Sequence, residues 1–491
     1  MKRVSSLIIL AAMLLGLLAA CGSPAAQPTA TAKPTVPVAT AKPAATEAVA
    51  TEAAEVTQTG ATEGPEGTAP AGTAAAGTAA PAGTAAAGTA APEGTEAPVA
   101  TAPATGTAPA GGTGTRIVIA SSLPRTGSSR GQSDTLVNAI KQRLEEAKYQ
   151  ACGGKFTLEY MDMDDATAAA GKWDAGQEAA NANKAVADPD VVAYIGTFNS
   201  GAAKISIPIL NAANLVMVSP ANTYPGLTKP GKGDKGEPDV YYPNGKRNYT
   251  RVVPADDIQG SAAANWAKSM GVTSVYVLDD AELYGKGVAD VFNKTAAALG
   301  LKVLGQESID GKAADYRALA AKVLDLKPDL VYFGGITQNN AGQLLKDLRA
   351  EGYKGKFMGP DGIQEKAFID AAGKDVAEGV YSTLGGLPVT ELAGAGKAWY
   401  QAYKAKYNSE PEAYAVYGYE SANVIVAAIE KTCKVDRTAV RDAVFATKDF
   451  DGVLGKWSFD ANGDTSLTTM SGYQVTGSEF KFVSTLSAPT P

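Results

Sequence analysis

From Thr115 onward, short apolar segments alternate with longer segments whose apolar residues have helical spacing, and this alternation limits the possible folds more than any other feature. Gly271, Gly300 and Pro328 stand where predicted helices should stop. Repeated strand–helix–strand units predict parallel sheets with helices on both faces. The predicted elements are strand 117–119, helix 133–149, strand 156–160, helix 175–187, strand 191–195, helix 202–211, strand 215–218, helix 261–270, strand 274–278, helix 288–299, strand 301–304, helix 315–326 and strand 330–333.

The length of this region predicts more than one structural unit. At about 375 residues it is too long for one compact hydrophobic core. We therefore expect two α/β lobes. The ligand site of such a protein is expected in the cleft between the lobes, beyond the carboxyl ends of the strands.

The first residues of the chain are typical of an export signal. Lys2 and Arg3 precede an uncharged apolar run, residues 4–18, that is short for a membrane-spanning helix. The run leads through Leu-Ala-Ala into Cys21, which resembles the lipobox of bacterial lipoproteins, where the cysteine is acylated and becomes the mature N-terminus. The alternative is an ordinary signal peptide beside a chance cysteine. We predict a lipoprotein signal peptide over residues 1–20 and an extracytoplasmic protein anchored to the lipid bilayer through acylated Cys21.

The segment after this cysteine has a composition that cannot form a hydrophobic core. Between residues 23 and 114 it consists almost entirely of Ala, Thr, Pro, Gly and Glu, without any aromatic residue. So little apolar surface cannot offset the entropy that a chain loses on folding. We therefore predict a lipid-anchored, disordered tether over residues 21–114.

The composition excludes several classes of function. The chain contains no histidine, which removes Ser-His-Asp and Cys-His catalysis as well as histidine-ligated metals. Its net charge is only −7, so there is no argument for nucleic acid as a partner. We predict no catalytic residues, no metal site and no cofactor.

Two cysteines remain besides the one in the lipobox, Cys152 and Cys433. Disulfide bonds persist outside the cytoplasm, so two leftover thiols favour one bridge. Two separately buried thiols are equally compatible with the sequence, because spatial proximity cannot be inferred from it.

Two strand-to-helix loops combine hydroxyl groups with the start of a helix. In the first loop, residues 194–201, a strand ends in a small polar segment that contains Ser200 and opens a helix. Free backbone N–H groups at such a helix start can bind a carboxylate. The second loop, residues 218–223, ends the next strand with a further hydroxyl. Taken singly, each loop is better explained by helix capping and turn formation.

Five short segments together carry a family resemblance. They are Tyr-Ile-Gly at 194–196, Met-Val-Ser-Pro-Ala at 217–221, Tyr-Gly-Lys-Gly at 284–287, Val-Tyr-Phe-Gly-Gly at 331–335 and Phe-Met-Gly-Pro-Asp-Gly at 357–362. In this order and at this spacing they resemble the class I periplasmic binding proteins, specifically the branched-chain amino-acid-binding proteins of ABC transporters. The resemblance covers nearly the whole folded part, from Arg116 to the C-terminus.

The resemblance implies the two-lobed α/β fold of type I periplasmic binding proteins, in which each lobe is a parallel sheet flanked by helices and a three-segment hinge joins the lobes. It assigns residues 115–255 with 386–455 to lobe 1 and residues 256–385 with 456–491 to lobe 2. It also implies a monomeric, non-enzymatic binding protein of an ABC importer. Such a protein captures an amino acid or a similar small polar ligand and delivers it to a permease.

The resemblance also carries over six ligand-binding residues: Ser200, Ala221, Thr223, Asp256, Tyr284 and Asp361. The serine holds the ligand α-carboxylate, and the second loop supplies the alanine carbonyl and the threonine hydroxyl. The first aspartate lies near the first crossover between the lobes, and the tyrosine closes from the second lobe. Asp361 pairs with the ligand ammonium, at a position where the family's amino-acid binders often have Glu.

Three features depart from the family pattern. Arg130 falls near a position that is aromatic in leucine binders, and Ile336 or Thr337 replaces another aromatic residue. The arginine either serves a second acidic group of the ligand or is a solvated charge at the rim of the site. Residues 226–248 form an insertion, which we predict to be a surface loop.

Two other functions stay open on the sequence alone. The same fold can serve as a ligand-sensing subunit for a signalling receptor. Alternatively, the acids Asp162, Asp164 and Asp165 at a strand end could act as paired carboxylates of a cell-surface hydrolase, although solvated loop acids explain them better. Residues 460–464 faintly resemble a calcium loop but lack its closing glutamate, so an Asn-Gly hairpin turn is predicted there.

Overall fold

A computed structural model of the protein describes residues 115–486. The predicted signal peptide, the cysteine at position 21 and the predicted tether lie outside the described residues. Within residues 115–486, none of the helices combines the length and the apolar character needed to cross a membrane.

The first strand, β1 (Thr115–Leu123), shows why the sheets are covered on both faces. Ile117 and Ile119 pack into one hydrophobic core, whereas Val118 and Ala120 pack into another core on the opposite face. Successive side chains point to opposite faces of a sheet, so a strand with an unbroken apolar run is buried on both sides.

Six strands form the first sheet: β1, β2 (Gln150–Ala151), β3 (Phe156–Asp164), β4 (Val191–Gly196), β5 (Val216–Ser219) and β6 (Tyr249–Arg251). They lie in the order β2-β3-β1-β4-β5-β6. All neighbours run parallel except the edge strand β2, which is antiparallel to β3. The predicted parallel arrangement is therefore confirmed for this sheet.

The remaining strands are β7 (Ser274–Asp279), β8 (Lys302–Ser308), β9 (Leu330–Gly334), β10 (Lys356–Gly359), β11 (Tyr381–Gly385), β12 (Phe450–Gly452), β13 (Gly455–Trp457), β14 (Met470–Thr476) and β15 (Glu479–Leu486). Strands β12 and β13 form a separate antiparallel pair. The other seven form the second sheet in the order β15-β14-β11-β10-β9-β7-β8. Its first five strands along the chain run parallel, and β14 and β15 add an antiparallel edge.

The helices are α1 (Arg130–Glu146), α2 (Ala175–Ala187), α3 (Ser200–Ala212), α4 (Asp256–Ser269), α5 (Leu283–Ala298), α6 (Arg317–Leu326), α7 (Ala341–Ala350), α8 (Lys366–Ala372), α9 (Lys374–Ala377), α10 (Gly394–Tyr407), α11 (Ala415–Thr432) and α12 (Arg437–Phe445). Apolar side chains of α1 and α11 pack on one face of the first sheet, and those of α2 and α3 pack on the other. Helices α4 and α5 cover one face of the second sheet, and α6 to α8 cover the other.

The chain passes between the two sheets three times. It leaves the first sheet after β6, returns after β11, and crosses again between β13 and β14. Helices α10 to α12 thus join the core of the first sheet although they follow the second sheet in sequence. We call the part around the first sheet lobe 1 and the part around the second sheet lobe 2. The predicted two-lobed α/β fold is confirmed, while the residue bounds assigned to each lobe stay a prediction.

Helix α5 begins at Leu283, five residues earlier than predicted, and this difference has a tertiary cause. Glycines lower helix stability, so Gly285 and Gly287 favoured a loop in the sequence. In the structure, close packing requires both of them. A Cβ atom at Gly285 would lie 2.2 Å from Asp280 Oδ1, and one at Gly287 would lie 2.7 Å from the Tyr224 ring.

The insertion at residues 226–248 is only partly a surface loop, so that prediction was wrong for its aromatic residues. Most of its tip is exposed, but Tyr241 and Tyr242 are buried in the core of lobe 1. The hydroxyl of Tyr242 donates a hydrogen bond to the carbonyl oxygen of Leu227 (2.6 Å). The glycines and lysines of the insertion obscured this apolar contribution.

Cys152 and Cys433 are joined by a disulfide bond, with their Cα atoms 5.8 Å apart. Cys152 follows β2 and Cys433 follows α11, so the bond links the two separate chain segments of lobe 1. The linked residues are 281 positions apart in the sequence. The sequence left open whether these cysteines form a bridge or are two separate thiols, and the structure contains the bridge.

We expect the double substitution Cys152→Ser/Cys433→Ser to lower the free energy of unfolding by about 2–5 kcal/mol, because the bond restricts the unfolded chain over a long loop. Urea denaturation would measure this loss. Wild-type protein under reducing conditions is the matched control and should unfold like the double variant. Equal stability of the oxidised wild type and the variant would contradict the prediction.

Candidate ligand-binding site

A cavity between the two lobes contains about 270 Å³ of space free of protein atoms, part of which is open to solvent. Both lobes contribute to its lining, which consists of Phe198, Asn199, Ser200, Ala221 and Tyr414 from lobe 1 and Tyr284, Ile336, Asp361 and Gly362 from lobe 2. Four of the six ligand-binding residues predicted from the sequence are therefore brought together here. The lining combines aromatic and aliphatic surface with a few polar groups, as small-molecule sites do.

Ser200 is the first residue of α3 and directly follows the loop after β4. Its side chain is buried, and its hydroxyl accepts a hydrogen bond from the backbone N–H of Tyr224 (3.3 Å). The first N–H groups of any helix have no acceptor within the helix, and the helix dipole favours negative charge at this point. This part of the lining can therefore bind a carboxylate.

Asn222 fastens the two strand-to-helix loops to each other. Its side-chain amide donates to the carbonyl oxygens of Thr197 (2.9 Å) and Phe198 (3.0 Å). Its own backbone N–H donates to the hydroxyl of Ser219 (2.8 Å). These bonds join the first loop to the second and so hold the lining residues Phe198 and Ala221 on one connected unit.

The side chain of Arg251, at the end of β6, supports the second loop from within lobe 1. It is fully buried and donates to the carbonyl oxygens of Asn222 (3.2 Å) and Tyr224 (2.9 Å). Its Nε also donates to Asp464 Oδ1 (2.6 Å), whose side chain is only 7% exposed. Asp464 lies between β13 and β14, so this ion pair joins the first crossover of the chain to the third.

Asp361 supplies the negative charge of the lining. The hydroxyl of Tyr284 donates to its Oδ1 (2.9 Å), and the hydroxyl of Tyr414 donates to its Oδ2. Burial raises the pKa of Asp361, and the two tyrosine hydroxyls oppose this shift. Since Tyr414 belongs to lobe 1 and Asp361 to lobe 2, the second of these bonds crosses the cleft.

Asp256 and Thr223, the other two predicted residues, lie near Asp361 but outside the cavity lining. Asp256 is fully buried. Within residues 115–486, neither its carboxylate oxygens nor the Thr223 hydroxyl has a partner in good hydrogen-bond geometry, although this hydroxyl is near enough to oppose the rise in the pKa of Asp256. Burial, and next the charge of Asp361, raise the pKa of Asp256 well above its usual value. Unpaired buried oxygens cost free energy, so a donor or a positive charge beside them would stabilise the site.

Sequence reasoning missed Tyr414, which precedes α11. Its ring packs edge-on against Phe198, with 5.5 Å between the ring centroids. The available signal was a pair of tyrosines one helical turn apart, Tyr414 and Tyr417, at the start of a long apolar helix. Phe198 was likewise interpreted only as part of a capping loop.

Arg130 is not part of the lining. Its side chain is 69% exposed and forms an ion pair with Asp134 (3.2 Å), one helical turn later. Of the two interpretations of this arginine, a contact to an acidic group of the ligand or a solvated charge at the rim of the site, its position supports the second. Ile336, by contrast, does line the cavity, and it is one of the two residues, with Thr337, that the resemblance sets against an aromatic position.

Comparison with known proteins assigns the chain to a protein family. The sequence profile described as periplasmic binding protein matches residues 116–479, and the chain belongs to that family. It is 30% identical over 357 residues to Leu/Ile/Val-binding protein homolog 2 of Brucella abortus, covering 72% of this chain and 88% of the relative. It is 26% identical over 356 residues to an amino acid binding protein of Pseudomonas aeruginosa, with the same shares covered.

Solved structures agree with this assignment. A leucine binding protein of Thermotoga maritima superposes with a TM-score of 0.66 at 25% identity, covering 75% of this chain and 98% of that one. A branched-chain amino acid transporter substrate binding protein of Streptococcus pneumoniae, in complex with isoleucine, has a TM-score of 0.65 at 22% identity and covers 76% and 100%. The predicted type I periplasmic-binding-protein fold is confirmed.

We expect Arg251→Met to lower the free energy of unfolding by about 3–5 kcal/mol, because it leaves the Asp464 carboxylate buried without its ion pair. The double variant Arg251→Met/Asp464→Leu removes both charges and should recover most of this loss. Lys286→Met, which breaks the exposed pair with Asp290, is the control and should cost less than about 1 kcal/mol. Urea denaturation measures all three, and wild-type stability of Arg251→Met would contradict the expectation.

Proposed function

We propose that this protein binds an amino acid, or a similar small zwitterion, between its lobes and delivers it to the permease of an ABC importer. One observation carries the proposal: a helix start that favours an anion and a buried carboxylate line the same cavity. A zwitterion satisfies both groups at once, since its carboxylate suits the α3 start and its ammonium suits Asp361.

Each predicted residue then has a role. Ser200 and the neighbouring N–H groups hold the ligand carboxylate, and the carbonyl oxygen of Ala221 accepts from the ammonium. Thr223 and Asp256, whose side-chain oxygens have no partner in good hydrogen-bond geometry within residues 115–486, support the ammonium beside Asp361. An ammonium here would pair the buried carboxylates and remove part of the cost of burying them.

The rest of the lining favours an apolar ligand side chain. Phe198, Ile336 and the rings of Tyr284 and Tyr414 surround the cavity with aromatic and aliphatic surface. The relatives support this reading, because the Brucella abortus protein is described as a Leu/Ile/Val-binding homolog. We therefore take L-leucine, L-isoleucine and L-valine as the first ligands to test.

Delivery follows from closure of the two lobes. The bond from the Tyr414 hydroxyl to Asp361 joins lobe 1 to lobe 2 across the cavity, so the bound ligand would be enclosed. Closure around a ligand by hinge motion presents a surface that differs from the open form, and a permease can recognise that difference.

We also infer that the protein is not an enzyme. The family is one of solute-binding proteins. Of the acids that raised the hydrolase alternative, Asp162 forms an ion pair with Arg125 (3.5 Å), and Asp164 accepts hydrogen bonds from the Arg125 N–H (2.8 Å) and the Thr126 hydroxyl (2.6 Å). Asp165 is fully buried, and its carboxylate has no hydrogen-bond partner within residues 115–486. Asp164 thereby holds the loop after β1 against the end of β3, and the burial of Asp165 keeps its carboxylate away from a substrate.

We expect Asp361→Ala to weaken the binding of L-leucine at least tenfold, which corresponds to about 1.4 kcal/mol, because the ammonium loses its counter-charge. Ser200→Ala should cost less, since the backbone N–H groups of α3 remain. Calorimetry with L-leucine, L-isoleucine and L-valine measures these affinities, and Asp375→Ala, an exposed acid of lobe 2, is the matched control. Unchanged affinity in Asp361→Ala would reject the zwitterion arrangement, and no binding of any amino acid by the wild type would reject the proposed function.

Attachment to the membrane is a separate proposal, because Cys21 lies outside the described residues. It rests on the export signal and the Leu-Ala-Ala-Cys sequence. Acyl chains on that cysteine would hold the protein at the outer face of the cytoplasmic membrane, beside the permease that it serves.

We expect Cys21→Ser to accumulate as uncleaved precursor or to be released from cells, because the acylated residue is lost. Fractionation of cells that express the full chain, with detection of the protein in membrane and soluble fractions, measures this. Lys33→Ser, a substitution in the predicted tether, is the control and should stay in the membrane fraction. Normal processing and membrane retention of Cys21→Ser would contradict lipid anchoring.

A further inference from the structure

A short segment of lobe 1 reaches across the cleft outside the ligand cavity. Residues 165–174, which we call the clasp hairpin, connect β3 to α2. Ala166 and Trp173 pair as an antiparallel bridge, so the segment folds back on itself. Asp174 then caps α2 by accepting a hydrogen bond from the Gln177 N–H (2.9 Å). Both bonds give the hairpin a fixed base on lobe 1.

Two side chains of the clasp hairpin contact lobe 2. Lys172 Nζ donates to Glu282 Oε1 (2.5 Å) and to Asn339 Oδ1 (2.6 Å). Trp173 Nε1 donates to the second oxygen of Glu282 (3.1 Å). The side chains of Lys172 and Glu282 are 24% and 23% exposed, so water screens this ion pair only in part. Charged hydrogen bonds of this kind are stronger than exposed surface pairs.

Asp280 supports this part of lobe 2 by orienting the Asn339 side chain and anchoring the backbone at Glu282. The buried carboxylate accepts hydrogen bonds from the Asn339 side-chain amide (2.8 Å), the Ile336 N–H (3.1 Å) and the Glu282 N–H (3.1 Å). The amide of Asn339 therefore turns its nitrogen to Asp280 and its oxygen to Lys172. Lobe 2 thus orients one contacting group, the Asn339 amide, through its side chain and anchors the backbone at Glu282, while the Glu282 carboxylate bonds to Lys172 and Trp173 themselves.

The clasp contacts lie close to the ligand cavity without lining it. Glu282 is two residues before Tyr284, and the Trp173 ring packs against Gly201, directly after Ser200. A Cβ atom at Gly201 would lie 2.6 Å from that ring. The Trp173 ring is thus packed on lobe 1, whereas Glu282 belongs to lobe 2, so the clasp can form only when the two lobes approach each other.

We propose that Lys172 and Trp173 clasp the closed cleft and determine how long a ligand stays inside it. The inference rests on the proposed function, since it assumes that a ligand is held between the lobes. Lys172 and Trp173 are positioning residues, because they act on closure and do not contact the cavity. Their bonds must break before the ligand leaves, whereas they form after it enters. Loss of the clasp therefore raises the dissociation rate and leaves the association rate nearly unchanged.

The test compares Lys172→Met, Glu282→Gln and the double variant with wild type and with Lys286→Met. The last variant removes a lysine–aspartate pair inside α5 and leaves the cleft intact. Stopped-flow measurement of L-leucine release should give a dissociation rate for Lys172→Met that is raised on the order of tenfold, with an association rate within about twofold of wild type. The double variant should be no faster than Lys172→Met, because both substitutions break one contact.

A milder variant keeps the proposal testable if Lys172→Met folds poorly. Trp173→Phe retains the ring against Gly201 and removes only the N–H donor, so its dissociation rate should rise less but in the same direction. Unchanged dissociation rates in both variants would overturn the clasp. The proposed function would still stand in that case, provided that the wild type binds L-leucine.

Small-angle X-ray scattering of the ligand-free proteins separates the two proposals further. If the wild type binds no amino acid, the proposed function fails, and the clasp is then tested by the radii of gyration of the ligand-free proteins alone. Lys172→Met should then have a larger radius of gyration than wild type and Lys286→Met, because fewer molecules are closed. Equal radii in that case overturn the clasp as well.

Discussion

The buried ion pair of Arg251 and Asp464 supports both the hinge and the candidate site. Two charges removed from water are stable only when their remaining donors and acceptors are also paired. Arg251 meets this requirement by donating to the carbonyl oxygens of Asn222 and Tyr224, which belong to the second binding loop. Asn222 in turn holds the first loop, and the Tyr224 N–H contacts Ser200. A side chain without any contact to the cavity therefore fixes the two loops that line it, and it does so at the point where the chain crosses between the lobes.

The cleft combines two kinds of contact that respond differently to a ligand. Asp361 lines the cavity, and a second buried carboxylate, that of Asp256, lies beside it just outside the lining. The tyrosine hydroxyls on Asp361 supply hydrogen bonds but no positive charge. A cationic group beside them would lower the electrostatic free energy of the closed form. Outside the cavity, the pair of Lys172 and Glu282 is already balanced in charge and needs no ligand. In the mechanism proposed above, a ligand shifts the population toward closure through the first kind of contact, while the second kind holds the closed form together.

Local patterns predicted the fold well, because they depend on neighbouring residues. The bounds of α2 were predicted as they are observed, and in the structure its cap, Asp174, directly precedes Ala175, so everything that defines this helix lies within one segment. Packing across the fold could not be predicted in this way. On the sequence alone, the glycines at the start of α5 indicate a loop. The reason for a glycine within the helix becomes visible only in the structure, where Asp280 packs against Gly285. Tyr414 reaches Asp361 from 53 positions away, and Lys172 reaches Glu282 from 110 positions away. Family resemblance found four lining residues because it compares positions in a common fold, and it passed over Tyr414 because its motifs do not include the start of α11.

The order of the segments along the chain has a consequence for how the protein reaches its folded state. The core of lobe 1 includes α10, which begins at Gly394, and the two helices after it, so it is incomplete until they have been synthesised. The second sheet is likewise incomplete until β14, which begins at Met470, and β15 have been synthesised. The disulfide bond also waits for a residue 281 positions after its partner. Contacts between such distant residues form slowly, because a long loop must close before they contribute. If the chain is exported from its N-terminus, as its first residues predict, neither lobe can finish folding until nearly all of it has crossed the membrane.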